Sequence, residues 1–184
     1  MRSAAFVNTR CFWKEMIRGW LIVAVVIVSA GTASAGGPVR AFTGLVPGDN
    51  FDFPGVCEDF DVNILIVENN EYTLTFAPDA AGTTRQLVEG RFVVTFTNLT
   101  SGSAATRNVS GPGEYRYLSD GSIDFTGSGP WAIFFFPDQR GEGTPGALFI
   151  NYGLIALHTD GATGIQSISS QVGTQEDLCA TLAP

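Results

Sequence analysis

The chain has almost no lysine. Its one lysine, Lys14, precedes residue 36 together with three of the arginines, so only six basic residues, all Arg, lie beyond that point. Seventeen of the eighteen acids lie there too, which gives residues 36–184 a formal charge of about −11. A surface of that sign repels polyanions, so nucleic acid and anionic membrane are excluded as partners. Histidine is equally scarce, with His158 alone. Gly-x-Ser-x-Gly, His-Glu-x-x-His and the P-loop are all missing, so the signatures of α/β hydrolases, zincins and P-loop nucleotide-binding folds are absent and no cofactor is implied. There is no repeat of 20–50 residues, which argues against solenoids and propellers.

Cysteine is sparse as well. Cys11 lies in the first segment, leaving Cys57 and Cys179. Two cysteines and one histidine do not complete a zinc shell, so no metal is expected there. Their spacing is not Cys-x-x-Cys. In an oxidising compartment an even pair bonds, and a Cys57–Cys179 disulfide is predicted.

That compartment follows from the first 35 residues. Arg2, Arg10, Lys14 and Arg18 precede the apolar run 20–30, and Ala33-Ser-Ala35 follows it. A basic region, an apolar region of about ten residues and an Ala-x-Ala site predict a secretory signal peptide over 1–35, cleaved after Ala35, and a secreted, extracellular protein. A spanning helix needs about 20 apolar residues, and this run breaks at Gly31-Thr32.

Beyond the leader, glycine, phenylalanine, threonine and valine abound, the mixture of strands joined by tight turns. Residues 36–56 read as an extended lead-in and 57–184 as a single β domain. Asp49, Asp52, Glu58, Asp59 and Asp61 crowd the junction without calcium-loop spacing and read as a solvated acidic edge. Residues 60–68 and 72–76 alternate on either side of Asn69-Asn70 and predict a first hairpin. Residues 87–97 predict one strand with a bulge at Gly90. The polar stretch 98–113 predicts a long loop or a polar edge strand, and Asp120-Gly121 a type I′ hairpin.

The centre of the pattern is Pro130–His158. Both of its arms are apolar at odd and even positions, so both faces must be covered. Its charged connection, 137–146, reads as a mobile exposed loop. A weaker strand is predicted over 165–172. Thr174 with Asp177 then resembles a capping box and predicts one helical turn held by Leu178, Leu182 and the disulfide. The sum is an all-β fold: an antiparallel β-barrel or β-sandwich of about eight or nine strands with a short C-terminal helical turn, leaning to an up-and-down order.

The stretch 96–102, Gly111-Pro-Gly113, Ser119-Asp-Gly-Ser122 and the ending Asp177-Leu-Cys-Ala-Thr-Leu182 resemble those of small exported β proteins of high-GC Gram-positive bacteria. The resemblance implies an exported β fold and carries neither activity nor functional residues.

The residues leave three classes of function open. The first is a non-catalytic binding or structural, cell-surface protein. The second is a secreted enzyme, a hydrolase or lyase, using His158 with Asp160 two residues on, or a carboxylate pair from Glu89, Glu114 and Asp124. The third is a module for a small apolar or carbohydrate ligand, the latter on exposed Tyr115, Tyr117 or Trp131.

Overall fold

The computed structural model describes residues 37–184; the predicted leader and its cleavage site lie outside the described residues. Twelve strands and one helix follow one another. They are β1 (Val39–Phe42), β2 (Asn50–Phe53), β3 (Val62–Asn69), β4 (Tyr72–Thr75), β5 (Thr84–Glu89) and β6 (Phe92–Asn98). Then come β7 (Ala104–Asn108), β8 (Gly113–Tyr117), β9 (Ile123–Gly127), β10 (Pro130–Phe135), β11 (Ala147–Thr159), β12 (Gln166–Asp177) and α1 (Leu178–Leu182).

The strands form two antiparallel sheets, and neither closes into a barrel. One has the order β2-β3-β6-β7; the other runs β1-β4-β5-β8-β9-β11-β10, with β12 also paired to β11. The all-β antiparallel class is as expected, with more strands than the eight or nine predicted. The lead-in accounts for part of the excess, because it gives β1 to one sheet and β2 to the other.

The up-and-down order is wrong, and the error lies at two corners. β3 and β4 do not pair across Asn69-Asn70; β3 pairs β2 and β6, whereas β4 pairs β1 and β5. A two-residue type I′ hairpin needs positive φ at both turn residues. Among the described non-glycine residues only Asp138 has it. Asn69-Asn70 is instead a corner from one sheet to the other. The expected strand 87–97 is likewise two strands, and Gly90 lies at the return corner rather than a bulge. The corners brace each other: the Asn70 amide donates to the Arg91 carbonyl at 2.9 Å, and the Arg91 amide to Asn70 Oδ1 at 2.6 Å.

The Asp120-Gly121 hairpin does form, between β8 and β9. Only Gly121 has positive φ, +86°, and its amide donates to the Leu118 carbonyl. That is a type I turn closed by a left-handed glycine, not a type I′ turn.

The central hairpin has both faces covered, each by a different core. Strand alternation sorts its side chains. Leu148, Ile150, Ala132 and Phe134 face the four-stranded sheet and pack with Val62, Ile64, Val94, Phe96 and the helix residues Leu178 and Leu182. Ile133, Phe135, Phe149, Ile155 and Leu157 face the other way and pack with Phe125, Tyr115 and Trp131, all from their own sheet.

The second core exists because the ribbon coils onto itself. Register sets Phe135 opposite Ala147 and Gln166 opposite Thr159. Twelve extended residues would separate those ends by about 40 Å. Yet the Gln166 amide donates to the Gln139 carbonyl at 2.8 Å. The bend falls at the facing pair Gly153 and Gly173, with φ of +143° and +114°. A Cβ on either would collide with the backbone of the other strand.

The 137–146 connection is not a free tether. Asp138 Oδ1 accepts from the Gly143 amide and Gln139 Oε1 from the Phe136 amide, both at 2.8 Å. The Arg140 guanidinium lies over the Phe135 ring.

The polar stretch 98–113 contributes β7, an edge strand. The weak strand expected over 165–172 extends to Asp177. The helix therefore starts three residues later than the capping box implied: Asp177 itself is the N-cap and accepts from the Ala180 amide at 3.0 Å, and Thr174 lies within β12. The disulfide Cys57–Cys179 is present and closes 122 residues of chain.

Candidate functional site

The longer sheet has two unlike faces beyond the central hairpin. Its registers place Arg40, Tyr72, Arg85, Glu89, Glu114, Arg116, Asp124 and His158 on one side. Most of those charges are matched. Arg85 pairs with Glu114 at 3.7 Å, Tyr72 donates to Glu89 at 2.9 Å, and Arg40 lies 3.9 Å from the Tyr72 ring centroid.

His158 belongs to this charged face. Its Nδ1 lies 2.7 Å from Asp124 Oδ1 across β9–β11, not against Asp160 as expected. The Asp160 carboxylate instead accepts from the Ala162 and Thr163 amides and the Thr163 hydroxyl, bonds that cap its own turn and hold it below the usual carboxylate range. Two residues apart reads as one face on a continued strand, but the strand ends at Thr159.

Ser167 stands opposite His158 on β12, so acid, imidazole and hydroxyl lie in one row across three strands. Among the described residues no hydrogen bond joins the ring to that hydroxyl, and the His158 and Asp124 side chains are 39% and 43% exposed. Glu89, Glu114 and Asp124 each have a different partner, so no two of these carboxylates converge.

The opposite face is aromatic and nearly uncharged. It carries Thr73 and Thr75 of β4, Thr84, Gln86 and Val88 of β5, Tyr115 and Tyr117 of β8, and Phe125 of β9. The rings run in a strip. Tyr117 and Tyr115 stack with centroids 6.2 Å apart, and Tyr115–Phe125 and Phe125–Trp131 each lie at 4.7 Å. The three aromatics expected as an exposed row, Tyr115, Tyr117 and Trp131, thus stand together but half-buried. Glycine makes room for the indole: a Cβ on Gly111, Gly113 or Gly127 would run into Trp131.

Polar groups on this face lack partners. Glu71, just before β4, is 7% exposed. Among the described residues its carboxylate has neither a hydrogen-bond nor an ion-pair partner, and burial raises its pKa to about 7. The hydroxyl of half-buried Tyr115 also makes no hydrogen bond among the described residues; desolvation first, then Tyr117 and the Glu71 charge, push it up. Trp131 Nε1 is buried without an acceptor, as is Asn151 Nδ2, whose residue pairs with Trp131 across the hairpin. By contrast Tyr117 donates to Gln86 Oε1 at 3.2 Å, and Gln86 Nε2 to Thr75 Oγ1 at 3.0 Å. Buried polar groups are normally bonded, each orphan costing roughly 1–3 kcal/mol.

Sequence reasoning missed Glu71. It sits beside Asn69-Asn70, which reads as a solvated turn, and only the sheet-to-sheet corner buries it.

Three of the five carboxylates of the acidic segment 49–61 are used locally. Asp49 accepts from the Val46 amide, Asp52 from the Asn63 side chain and Asp61 from the Gly55 amide. Among the described residues no three His, Cys, Asp or Glu side chains gather in a way that would hold a metal.

No family model, curated protein or solved structure matches the chain.

Proposed function

We propose that the protein is an exported, non-catalytic binding module that takes a carbohydrate ring on the aromatic face. The observation that carries this reading is the row of half-exposed rings Tyr117, Tyr115 and Trp131, joined through the buried Phe125 ring. Sugar rings offer an apolar face for stacking and hydroxyls that both donate and accept. Ligand sites combine those features: an apolar, aromatic lining with a few convergent polar groups. The rim chain Tyr117–Gln86–Thr75 supplies further donors and acceptors.

The test is calorimetric titration with a panel of soluble tetrasaccharides. The wild-type protein binds at least one saturably. Tyr117→Ala weakens that binding about three- to tenfold, the effect of losing one stacked ring. Absence of saturable heat across the panel, or binding that Tyr117→Ala leaves untouched, overturns the assignment.

A further inference from the structure

We propose that Glu71 makes the aromatic face selective for sugars that carry a free ammonium group, such as glucosamine units. The inference rests on the carbohydrate reading and narrows its ligand class. Three observations carry it.

The first is charge placement. The wing of the sheet from β1 to β9 keeps Arg40, Arg85 and Arg116 on the charged face, and register forbids their crossing to the other. Glu71 is therefore an acid on a face without a strand-borne base. The second is burial. The residue is 7% exposed, and its carboxylate makes no hydrogen bond or ion pair among the described residues. A buried carboxylate is costly unless paired, and the missing counterpart is a cation. The third is the company it keeps. Glu71 is two residues before Thr73 and so continues its side of the strand; Thr73 pairs through Val88 with Gly113, the glycine against which Trp131 and Phe125 lie, so Glu71 stands toward the Trp131 end of the strip. Aromatic faces themselves attract ammonium groups, and the acidic balance of the chain draws cations toward it.

Recognition then has two parts. The rings of the strip receive the apolar faces of the sugar units, and Glu71 accepts hydrogen bonds from the ammonium of the unit at the Trp131 end. A charge-assisted bond of this kind is roughly twice as strong as a neutral one. An N-acetyl group in the same place offers one amide N–H and no charge.

The experiment titrates the secreted protein at pH 7 with three tetrasaccharides by calorimetry: the glucosamine tetramer, its N-acetylated counterpart and cellotetraose. The glucosamine tetramer is expected to bind at least tenfold tighter than either neutral sugar. Glu71→Gln is expected to shrink that gap below twofold. Equal affinity for all three in the wild type overturns the cation preference and leaves the carbohydrate reading standing. Failure of all three to bind overturns both. A gap that persists in folded Glu71→Gln, checked by circular dichroism, removes Glu71 from the role. The wild-type comparison needs no variant, so poor folding of Glu71→Gln does not weaken it.

Discussion

Two glutamates, one on each side of the coiled ribbon, are treated in opposite ways. Glu176, next to the last residue of β12, accepts three hydrogen bonds from the Arg107 guanidinium of β7, at 2.6–3.1 Å, one from the Tyr152 hydroxyl at 3.0 Å and one from the Thr181 hydroxyl at 3.4 Å. It ties the two sheets together, and the Arg107 bonds hold its carboxyl below the usual range. Glu71 has no such partner, and burial alone pushes its carboxyl up to about 7. A fold that satisfies one acid five times over and leaves another bare has specialised its sides. The sandwich side, with helix and disulfide, is built for cohesion, and the aromatic side keeps unspent bonding capacity.

The largest break in that comparison is on the cohesive side. Cys57–Cys179 closes 122 residues of chain and anchors α1, whose Leu178 and Leu182 are fully buried, against the sandwich core. A helix of five residues does not persist alone. Chain entropy assigns such a loop about 4–5 kcal/mol. The Cys57→Ser, Cys179→Ser protein is expected to lose that much unfolding free energy in urea titrations. A loss below about 1 kcal/mol would mean that the sandwich core holds the helix without the bond.

Next in size is the pH dependence, in which the two acids carry opposite signs. The folded-state pKa of Glu71 lies above its unfolded value, so the folded chain binds the proton more tightly. Its contribution to stability is full below about 4.5 and is lost as pH rises toward about 7. A rise of that extent corresponds to roughly 3 kcal/mol. Glu176 is depressed, so its contribution is present above the unfolded pKa and fades as pH falls. Glu71→Gln is therefore expected to stabilise the protein at pH 8 by up to about 3 kcal/mol and to flatten the loss between pH 4.5 and 7. Arg107→Gln is expected to destabilise by about 1–2 kcal/mol at pH 7 and to remove the part of the acid sensitivity that Glu176 supplies. Thermal melts of the three proteins across pH 4–8 check both signs at once. Identical pH profiles for wild type and Glu71→Gln would refute the account of Glu71.

The cohesive side was more legible in the sequence than the aromatic one, for physical reasons. Alternation reports burial, so the doubly apolar arms 130–158 announced a wall with a core on each face. Cys57, Cys179, Leu178 and Leu182 announced how the end of the chain is tied down. Alternation does not report which strand lies alongside. Asn69-Asn70 and Gly90-Arg91 look like hairpin or bulge chemistry, and only their actual φ values distinguish a turn from a corner. What depends on those corners was hidden, the burial of Glu71 above all, and the pairing of β9 with β11, which sets His158 against Asp124 in place of Asp160, was equally out of reach. Tyr115, Tyr117 and Trp131 were picked out as rings, but the coiling that half-buries them comes from Gly153 and Gly173, 20 residues apart in sequence. Neither glycine signals its partner.

The smallest expected effect lies on the charged face and sharpens the contrast from its other end. The pair His158–Asp124 is close, at 2.7 Å, but both side chains stand well out in solvent. Exposed pairs are screened and contribute about 0–1 kcal/mol. Asp124→Asn is expected to change unfolding free energy by less than about 1 kcal/mol, with no effect on the affinity of any sugar that the opposite face binds. The same change would be large if this row were a working catalytic group, because an imidazole without its orienting acid loses its tautomer. Exposure of wild type, Asp124→Asn and Ser167→Ala to a fluorophosphonate probe separates the cases. No labelling of any of the three is expected. Labelling of the wild type that Ser167→Ala abolishes would make the charged face the working side of the molecule and reverse the assignment of roles.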